Sequence, residues 1–549
     1  MKTKSAIKYK VYIVVIVMIT SSCQDIFNLN EEPYSAFSTV GALTSVSGFN
    51  NHIAALHEAA RNEMALTDSN NHYYIMNMST DVASAGHAGH ASNSYDALLT
   101  PTSTAPGMVW NWAYQQMLLR ANTIIAYANN PDLDHIWESE VQKNRYIAEA
   151  KFFRAYTHNL LANLYGGVPI IDTIHEAPKT DFTRSTRTEV LEFASQDLEF
   201  ASQWLPETVG SDVEGRIVKA AADHLLSEVY ISLEQYEDAV VSASNVIDSQ
   251  LYNLMTQRFG SKINEPGDVF SDMFRDGNQN RSSGNMESLY VWQFEDMTPG
   301  GQGASNGNNR LRKWGPWYER LTDPSGGSGM VVVDSMGRGT GQVRPTPYFI
   351  YDIWESDWDN DIRNSAYNIR REFYYTNPSS NFFGQRVGPR RSEIDTMQNM
   401  YSYPRKIEGD VGTLTHTSAS WSGRTYQDFM VYRLAETYLL RAEAYFRMGD
   451  LNNAANDINV VRARANATLI NPSDVTEDYI LDERARELIA EEPRRRTLVR
   501  MGRLVERVRE YSIRELTRNS IQEFHQWWPI PQAAIDVNID ERLEQTPGY

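Results

Sequence analysis

Two short motifs contain side chains that could ligate a metal ion. His87 and His90 are separated by Ala-Gly, and three aspartates alternate with other residues over Asp357–Asp361. The histidines lie in a Gly-rich stretch without a neighbouring cysteine, which is a poor match to a zinc site. The acidic segment has Ile and Asn where a calcium loop needs its sixth-place Gly and twelfth-place Glu. We therefore predict no cofactor, with structural calcium as the alternative, and we expect Asp361 to pair with Arg363.

A cationic run, Arg494–Arg496, raises the question of phosphate binding. Four glutamates precede it closely, namely Glu483, Glu487, Glu491 and Glu492. At this spacing we predict a solvated network of ion pairs rather than a phosphate site. The chain contains neither a nucleophile elbow nor a phosphate loop. Acidic residues are abundant, so counting them leaves a glycosidase pair of carboxylates as an alternative.

Any functional side chains must be positioned by the helices that the hydrophobic periodicity predicts. Between Tyr426 and Ala465, apolar residues recur three and four apart on both sides of Gly449-Asp450, which predicts two helices joined by a turn. Residues 221–247 repeat this pattern at one offset of 215 residues (443 − 228). The matched pairs are Glu228 and Glu443, Tyr230 and Tyr445, and Ala239 and Ala454. Because one helical pair cannot bury its own apolar face, the repeat predicts further pairs stacked on these.

The remaining segments differ in composition. Helical periodicity also predicts helices over residues 51–66, 110–127, 141–164, 188–205 and 477–509. Residues 72–106 are rich in Gly, Ser, Ala and Asn and are predicted to form a long loop, either functional or disordered. Residues 251–425 are Gly-, Asn- and Ser-rich with short apolar runs, which predicts an irregular part with short strands. The predicted fold is mainly α, a tetratricopeptide-like scaffold of helical hairpins with an irregular, loop-rich C-terminal part.

The N-terminal residues have the pattern of an export signal. Four lysines precede the apolar run Val11–Ile19, and small polar residues then lead to Cys23, the only cysteine. The run is shorter than the roughly 20 apolar residues that span a bilayer, which favours a signal peptide over residues 1–22. Cys23 resembles the lipid-modified first residue of a bacterial lipoprotein. We predict a lipid anchor on Cys23 and a tether over residues 23–48, with a simple secreted protein as the alternative.

The overall charge limits the class of ligand. The chain of 549 residues has 51 basic and 70 acidic residues, a formal charge of −19. Nucleic-acid binders need a basic face that displaces counterions, so this balance argues against nucleic acid. It is compatible with a neutral or cationic ligand.

Short motifs follow one another in a fixed order along the mature chain. They are Arg120–Asn122, Glu149–Ala155, Tyr165–Pro169, Arg433–Glu436, Ala442–Ala444, Arg462–Ala465, Glu483–Leu488, Pro529–Pro531 and Pro547–Tyr549. As an ordered set they resemble the SusD/RagB family of outer-membrane nutrient-binding lipoproteins, although no single motif is diagnostic.

The resemblance implies both an architecture and a role. It implies an N-terminal helical region over residues 49–250 and a C-terminal region over 251–549, with an irregular insert at 251–425 and a last helical pair at 426–465. It also implies a lipid-anchored protein of the outer membrane that faces the cell surface and does no covalent chemistry. The implied partner is a SusC-like TonB-dependent transporter, over which the protein would act as a lid.

Sugar binding needs flat aromatic faces for C–H stacking and planar polar groups for paired hydroxyls. The segment 310–320 offers such groups and follows a Gly-rich loop; the candidates there are Arg312, Trp314, Trp317 and Tyr318, together with Trp292. The long N-terminal loop adds Tyr73, Tyr74, Asp81 and Tyr95. For each aromatic residue, ordinary core packing is the alternative.

The resemblance leaves the identity of the ligand open. We predict capture of an oligosaccharide or polysaccharide, with Trp314 and Trp317 stacking on sugar and Arg312 and Asp81 binding hydroxyls. A peptide is the alternative ligand, since some members of this family take peptides. A hydrolase is the third hypothesis, and the formation of product from a bound ligand would support it.

Overall fold

A computed structural model describes residues 43–65, 72–175, 177–295, 298, 307–408, 423 and 425–549. Residues 52–549 form one compact unit, and residues up to Asn51 form another, of which 43–51 are described. The predicted signal peptide and Cys23 lie outside the described residues. Residues 46–48 of the predicted tether belong to a helix. Among the described residues, no helix is long and apolar enough to cross a membrane.

Helices dominate the described chain. They are α1 (Val46–Ala65), α2 (His72–Ile75), α3 (Tyr95–Leu98), α4 (Thr104–Asn111), α5 (Leu119–Ala128), α6 (Glu140–Tyr165), α7 (Arg187–Trp204), α8 (Lys219–Ser232), α9 (Tyr236–Ile247), α10 (Val269–Asp272), α11 (Arg310–Trp314), α12 (Pro347–Ile350), α13 (Leu434–Arg447), α14 (Leu451–Arg464), α15 (Glu477–Leu488), α16 (Arg494–Arg500), α17 (Leu504–Tyr511), α18 (Glu515–Ser520) and α19 (Gln532–Asp536). A π-helical turn, Trp112–Leu118, joins α4 to α5.

The strands are short and pair two by two. They are β1 (Ala83–Ala85), β2 (Ser288–Trp292), β3 (Val343–Pro345), β4 (Ile369–Arg370), β5 (Tyr403–Pro404) and β6 (Phe429–Arg433). The antiparallel pairs in the described chain are β1 with β3, β2 with β6, and β4 with β5. The β2–β6 pair places Ser288 opposite Arg433, so the irregular part is hydrogen-bonded to the residues that lead into α13.

The predicted stack of helical hairpins is confirmed. Helix α6 packs against α7, α7 against α8, and α8 against α9; α13 packs against α9, and α14 packs against α13. The small Ala239 of α9 lies in a buried cluster with Ile231, Leu440 and Ala444. The last pair therefore continues the stack of the first half although almost 200 residues separate them, and the mainly α scaffold with short strands is the fold that we predicted.

Two adjacent glycines end α6 for different reasons. Gly166 has a φ of 75°, a backbone conformation that side chains disfavour. A Cβ on Gly167 would lie 2.2 Å from the carbonyl oxygen of Ser185, so the returning chain leaves no room for a side chain. The next helix begins at a capping box in which Thr186 and Glu189 satisfy each other's backbone N–H groups.

Three segment predictions were wrong in detail. The hairpin over 426–465 begins with strand β6 rather than helix, because the apolar run Phe429–Tyr432 pairs with β2. The single helix predicted over 477–509 is three helices, broken at Pro493 and at Gly502, whose φ is 71°. The loop predicted over 72–106 contains short helices and strand β1.

Arg494–Arg496 and the four glutamates before them are buried rather than solvated, contrary to our prediction. Among them, Glu487 is fully buried. Its carboxylate accepts hydrogen bonds from Arg363, at 2.8 Å, and from Arg433 and Arg464. Burial by itself would raise the pKa of Glu487, but the three arginines outweigh it and hold that pKa well below its usual range.

The two matched glutamates of the repeat both lie against arginines of α16. Glu228 of α8 lies 3.8 Å from Arg496, and Glu443 of α13 pairs with Arg500. The two arginines are one turn apart on α16, so this helix contacts both repeats through equivalent carboxylates. The positions therefore match because each glutamate meets a cation of the same helix.

We expect the fold to lose stability in acid. Burial alone would raise the pKa values of Asp81, Glu149, Glu436 and Glu483, but neighbouring cations outweigh it and lower each to about 2, from ordinary values of 3.8 or 4.5. A lowered folded-state pKa stabilises the fold above the ordinary value and ceases to do so as the pH falls through the folded value. The urea midpoint should therefore drop between about pH 4.5 and pH 2. A midpoint that stays constant over this interval would contradict the burial of these ion pairs.

Candidate functional site

Three of the predicted C-terminal site residues are core residues. Trp314, Tyr318 and Trp292 are 0%, 2% and 4% exposed. The Tyr318 hydroxyl donates to the Gly337 carbonyl, and the Trp292 indole donates to the Tyr290 hydroxyl at 3.1 Å. Because sugar stacking needs an open ring face, the structure does not support a ligand-binding role for these three.

Three of the four predicted N-terminal candidates are also buried. Tyr74, Asp81 and Tyr95 are fully buried, and the side chain of Tyr73 lies outside the described residues. Asp81 accepts two hydrogen bonds from Arg494, at 2.9 and 2.6 Å, and one from Arg507 at 2.8 Å. It therefore ties this segment to α16 and α17, and its carboxylate is not presented to a ligand.

Trp317 and Arg312 are the predicted residues that stay partly exposed. The Trp317 indole donates to Glu319 at 2.7 Å, and Arg338 donates to the same carboxylate oxygen at 3.0 and 2.9 Å. The guanidinium carbon of Arg320 lies 3.3 Å from the centre of the Trp317 ring. One face of this ring is therefore covered by a cation that a stacking ligand would have to displace.

Two other aromatic side chains, which we had not predicted, are more exposed to solvent than Trp317. Tyr351 follows α12 and is 47% exposed, and Trp358 follows the short turn Asp352–Asp357 and is 42% exposed. Their rings are nearly parallel, at 10°, with centres 6.3 Å apart. We call these two rings the aromatic platform.

Arg371 lies against both rings of the aromatic platform. Its guanidinium carbon lies 4.6 Å from the centre of the Trp358 ring and 5.9 Å from that of Tyr351. It donates to the carbonyl oxygens of Ile350, at 2.7 Å, and Asn364, at 3.0 Å. These bonds tie the cation to the turns that carry both rings, so the platform has rigid support.

The platform was not predicted from the sequence, because Trp358 lies within the acidic motif Asp357–Asp361. The first and last aspartates of that motif form ion pairs with arginines. Asp357 pairs with Arg462, and Asp361 pairs with Arg363 at 2.7 Å, as we predicted for the latter. A tryptophan placed between two aspartates in a loop was the available signal of an exposed ring.

The histidines of the other motif have local roles. The backbone N–H of Gly89 donates to Nδ1 of His87 at 3.2 Å, and His90 caps the turn Ala91–Asn93 through its Nδ1. In the part of the chain that the structure describes, no group of three or more His, Cys, Asp or Glu side chains is arranged to hold a metal.

Comparison with known proteins gives matches to two family models. The model described as the SusD family matches residues 234–549. The model described as "Starch-binding associating with outer membrane" matches residues 28–231. Together they span most of the chain and agree with the resemblance of its motifs.

Curated relatives carry related names. The starch-binding protein SusD of Bacteroides thetaiotaomicron is 38% identical over 124 residues, which is 22% of this chain and 22% of that protein. SusD-like protein P38 of Formosa agariphila is 25% identical over 438 residues, 74% of this chain and 75% of that protein.

Solved structures share the fold at low identity. A laminarin-binding SusD-like protein has a TM-score of 0.70 and 21% identity, with 92% of this chain and 100% of that chain covered. Surface glycan-binding protein A of Bacteroides thetaiotaomicron, solved with laminarihexaose, has a TM-score of 0.67 and 20% identity, with 91% and 99% covered.

Proposed function

Since the chain belongs to the SusD family, we propose that it captures oligosaccharides at the cell surface and delivers them to a TonB-dependent transporter of the outer membrane. In this role it binds and releases its ligand without catalysis. Relatives named for starch binding and structural neighbours named for glycan binding support this class of ligand.

The observation that carries the proposal is the aromatic platform. These two exposed rings, whose planes are nearly parallel, offer aromatic faces on which the C–H faces of pyranose units can stack. The neighbouring guanidinium of Arg371 is occupied by backbone carbonyl oxygens, so it fixes the rings rather than acting as a free cation. Trp317 and Arg312 remain as a second candidate region, in which Arg320 already covers one face of the Trp317 ring.

The test is calorimetry of the chain without its signal peptide and with Cys23→Ala, so that no lipid is attached. The panel contains laminarihexaose, maltoheptaose, other soluble oligosaccharides and a set of peptides. We expect at least one oligosaccharide to bind with a defined stoichiometry and without the formation of product. If only peptides bind, the ligand is a peptide rather than a glycan. Cleavage of a bound glycan would contradict a non-catalytic role.

We also propose that Cys23 carries the lipid that anchors the protein. In the producing bacterium, the wild-type chain should incorporate labelled palmitate and partition into the detergent phase. The Cys23→Ala chain should do neither, because it lacks the thiol that accepts the lipid. An unlabelled, water-soluble wild-type chain would instead support the simple secreted protein.

The transporter partner is tested separately. We expect the membrane-extracted, lipidated protein to co-purify with one TonB-dependent transporter in stoichiometric amount. Purification of the lipidated protein alone from mild detergent, under conditions in which other transporter complexes survive, would contradict the partnership.

A further inference from the structure

A groove of about 580 Å³ lies away from the aromatic platform. Its walls come from the end of α4 through the π-helical turn to the start of α5, from residues 169–175 and 179–182, and from α19 with the residues that follow it. This volume is within the range of ligand-binding clefts. The walls are mainly apolar, with contributions from Trp110, Tyr114, Ile171, Phe182 and Leu543.

Exposed apolar side chains continue beyond the groove. Leu119 and Val537 line it and are 53% and 66% exposed, and the nearby Ile539 is 78% exposed. These are among the most exposed large apolar residues of the described chain. An apolar surface that extends past the cavity suits an extended occupant better than a compact small molecule.

Two amide side chains follow one helical face along the groove. Asn111 and Gln115 are four residues apart, both are exposed, and both line the groove. Within the described part of the chain, neither amide group has a hydrogen-bond partner. An amide side chain offers one donor group and one acceptor, which are the groups that an extended peptide backbone requires.

The charges near the groove are unevenly distributed. Among the described residues that line it, the ionisable ones are His175 and Lys179, and there is no carboxylate. Just outside the lining, the end of α19 and the segment after it add exposed carboxylates, namely Asp536, Asp540, Glu541 and Glu544, against one exposed cation, Arg542. Asp540 is held against residues 169–182, since its N–H donates to the Thr180 carbonyl at 2.9 Å. The rim is therefore acidic around an apolar floor.

From these observations we propose that the groove docks an extended segment of a partner polypeptide. Apolar side chains of the segment fill the groove, its backbone bonds to Asn111 and Gln115, and its flanking lysine or arginine residues meet the acidic rim. A lipid headgroup bearing phosphate is disfavoured by the same rim. The groove and the aromatic platform have no residue in common, so this proposal does not depend on which glycan the platform binds.

The test uses fluorescence anisotropy of the full mature chain with a labelled peptide, Lys-Leu-Ser-Ile-Lys-Leu-Ser-Ile-Lys, and a twin in which glutamate replaces every lysine. We expect saturable binding of the basic peptide, weakened by salt, and none of the acidic twin. Ala533→Trp, at an exposed position of the groove, should weaken binding by about tenfold or more. Val241→Trp, at an exposed position of α9, is the matched control and should change nothing.

Three outcomes would overturn the docking of a basic segment. They are a basic peptide that does not saturate, equal binding of the acidic twin, and an unchanged affinity in Ala533→Trp. A neutral dye, N-phenyl-1-naphthylamine, provides the competing case of a small apolar molecule. Dye that fills the groove and is not displaced by the basic peptide would assign the groove to small apolar ligands instead.

The double change Asn111→Ala and Gln115→Ala, on exposed side chains, should also weaken binding of the basic peptide.

Discussion

Replacement of Glu487 by alanine should lower the free energy of unfolding by about 3–5 kcal/mol. The carboxylate is fully buried and bonds to Arg363, Arg433 and Arg464, so its removal leaves buried guanidinium groups without their common partner. An uncompensated buried charge costs far more than the loss of a surface pair, because it can neither reach water nor give up its proton. Urea unfolding of the two chains, followed by circular dichroism, measures the difference.

The matched control is Glu372→Ala, which removes the carboxylate of a pair at the surface. Glu372 and Arg386 are 53% and 65% exposed and 3.0 Å apart. We expect this change to cost less than about 1 kcal/mol, since water and salt screen such a pair. Equal effects of the two substitutions would show that the charges around Glu487 are solvated, as the sequence alone had suggested to us.

Replacement of Trp358 by alanine should weaken oligosaccharide binding by about tenfold or more. The change removes one of the two open rings, and the ring-to-ring geometry that would support two sugar units is lost. The fold should be unaffected, because the Trp358 side chain is 42% exposed. Calorimetric titration with the tightest oligosaccharide of the panel gives the affinity of each chain.

Two further variants make this result specific. Tyr367→Ala removes another exposed tyrosine of the same part of the chain, which is 43% exposed, and should leave the affinity unchanged. Trp317→Ala should have a smaller effect than Trp358→Ala, because the Trp317 side chain is only partly exposed whereas Trp358 is 42% exposed. A larger effect of Trp317→Ala would move the binding site to the 310–320 segment.

The helical scaffold was predictable because periodicity reports which face of a helix is buried. Ala239 and Ala454, matched in the sequence, are both fully buried in the stack. The same periodicity could not separate strand β6 from helix α13, since the apolar residues of Phe429–Tyr432 suit either structure. The pairing with β2 decides between them, and that contact joins residues almost 150 positions apart.

The site was less predictable because exposure depends on long-range contacts. Asp81 resembled a sugar-binding carboxylate until Arg494, more than 400 residues later, was found to bond to it. Trp314 and Trp317 lie three residues apart in one segment, yet the first is fully buried and the second is partly open. The sequence shows which side chains are of a type that can stack on a sugar. The packing of the irregular part decides which of those side chains are exposed.

The most direct measurement is a crystal structure of the chain with the tightest oligosaccharide of the panel. It should show pyranose rings lying flat over Trp358 and Tyr351, with the rings in the positions that Arg371 supports. Glycan bound only at another surface, with both rings of the platform left open to solvent, would contradict the account.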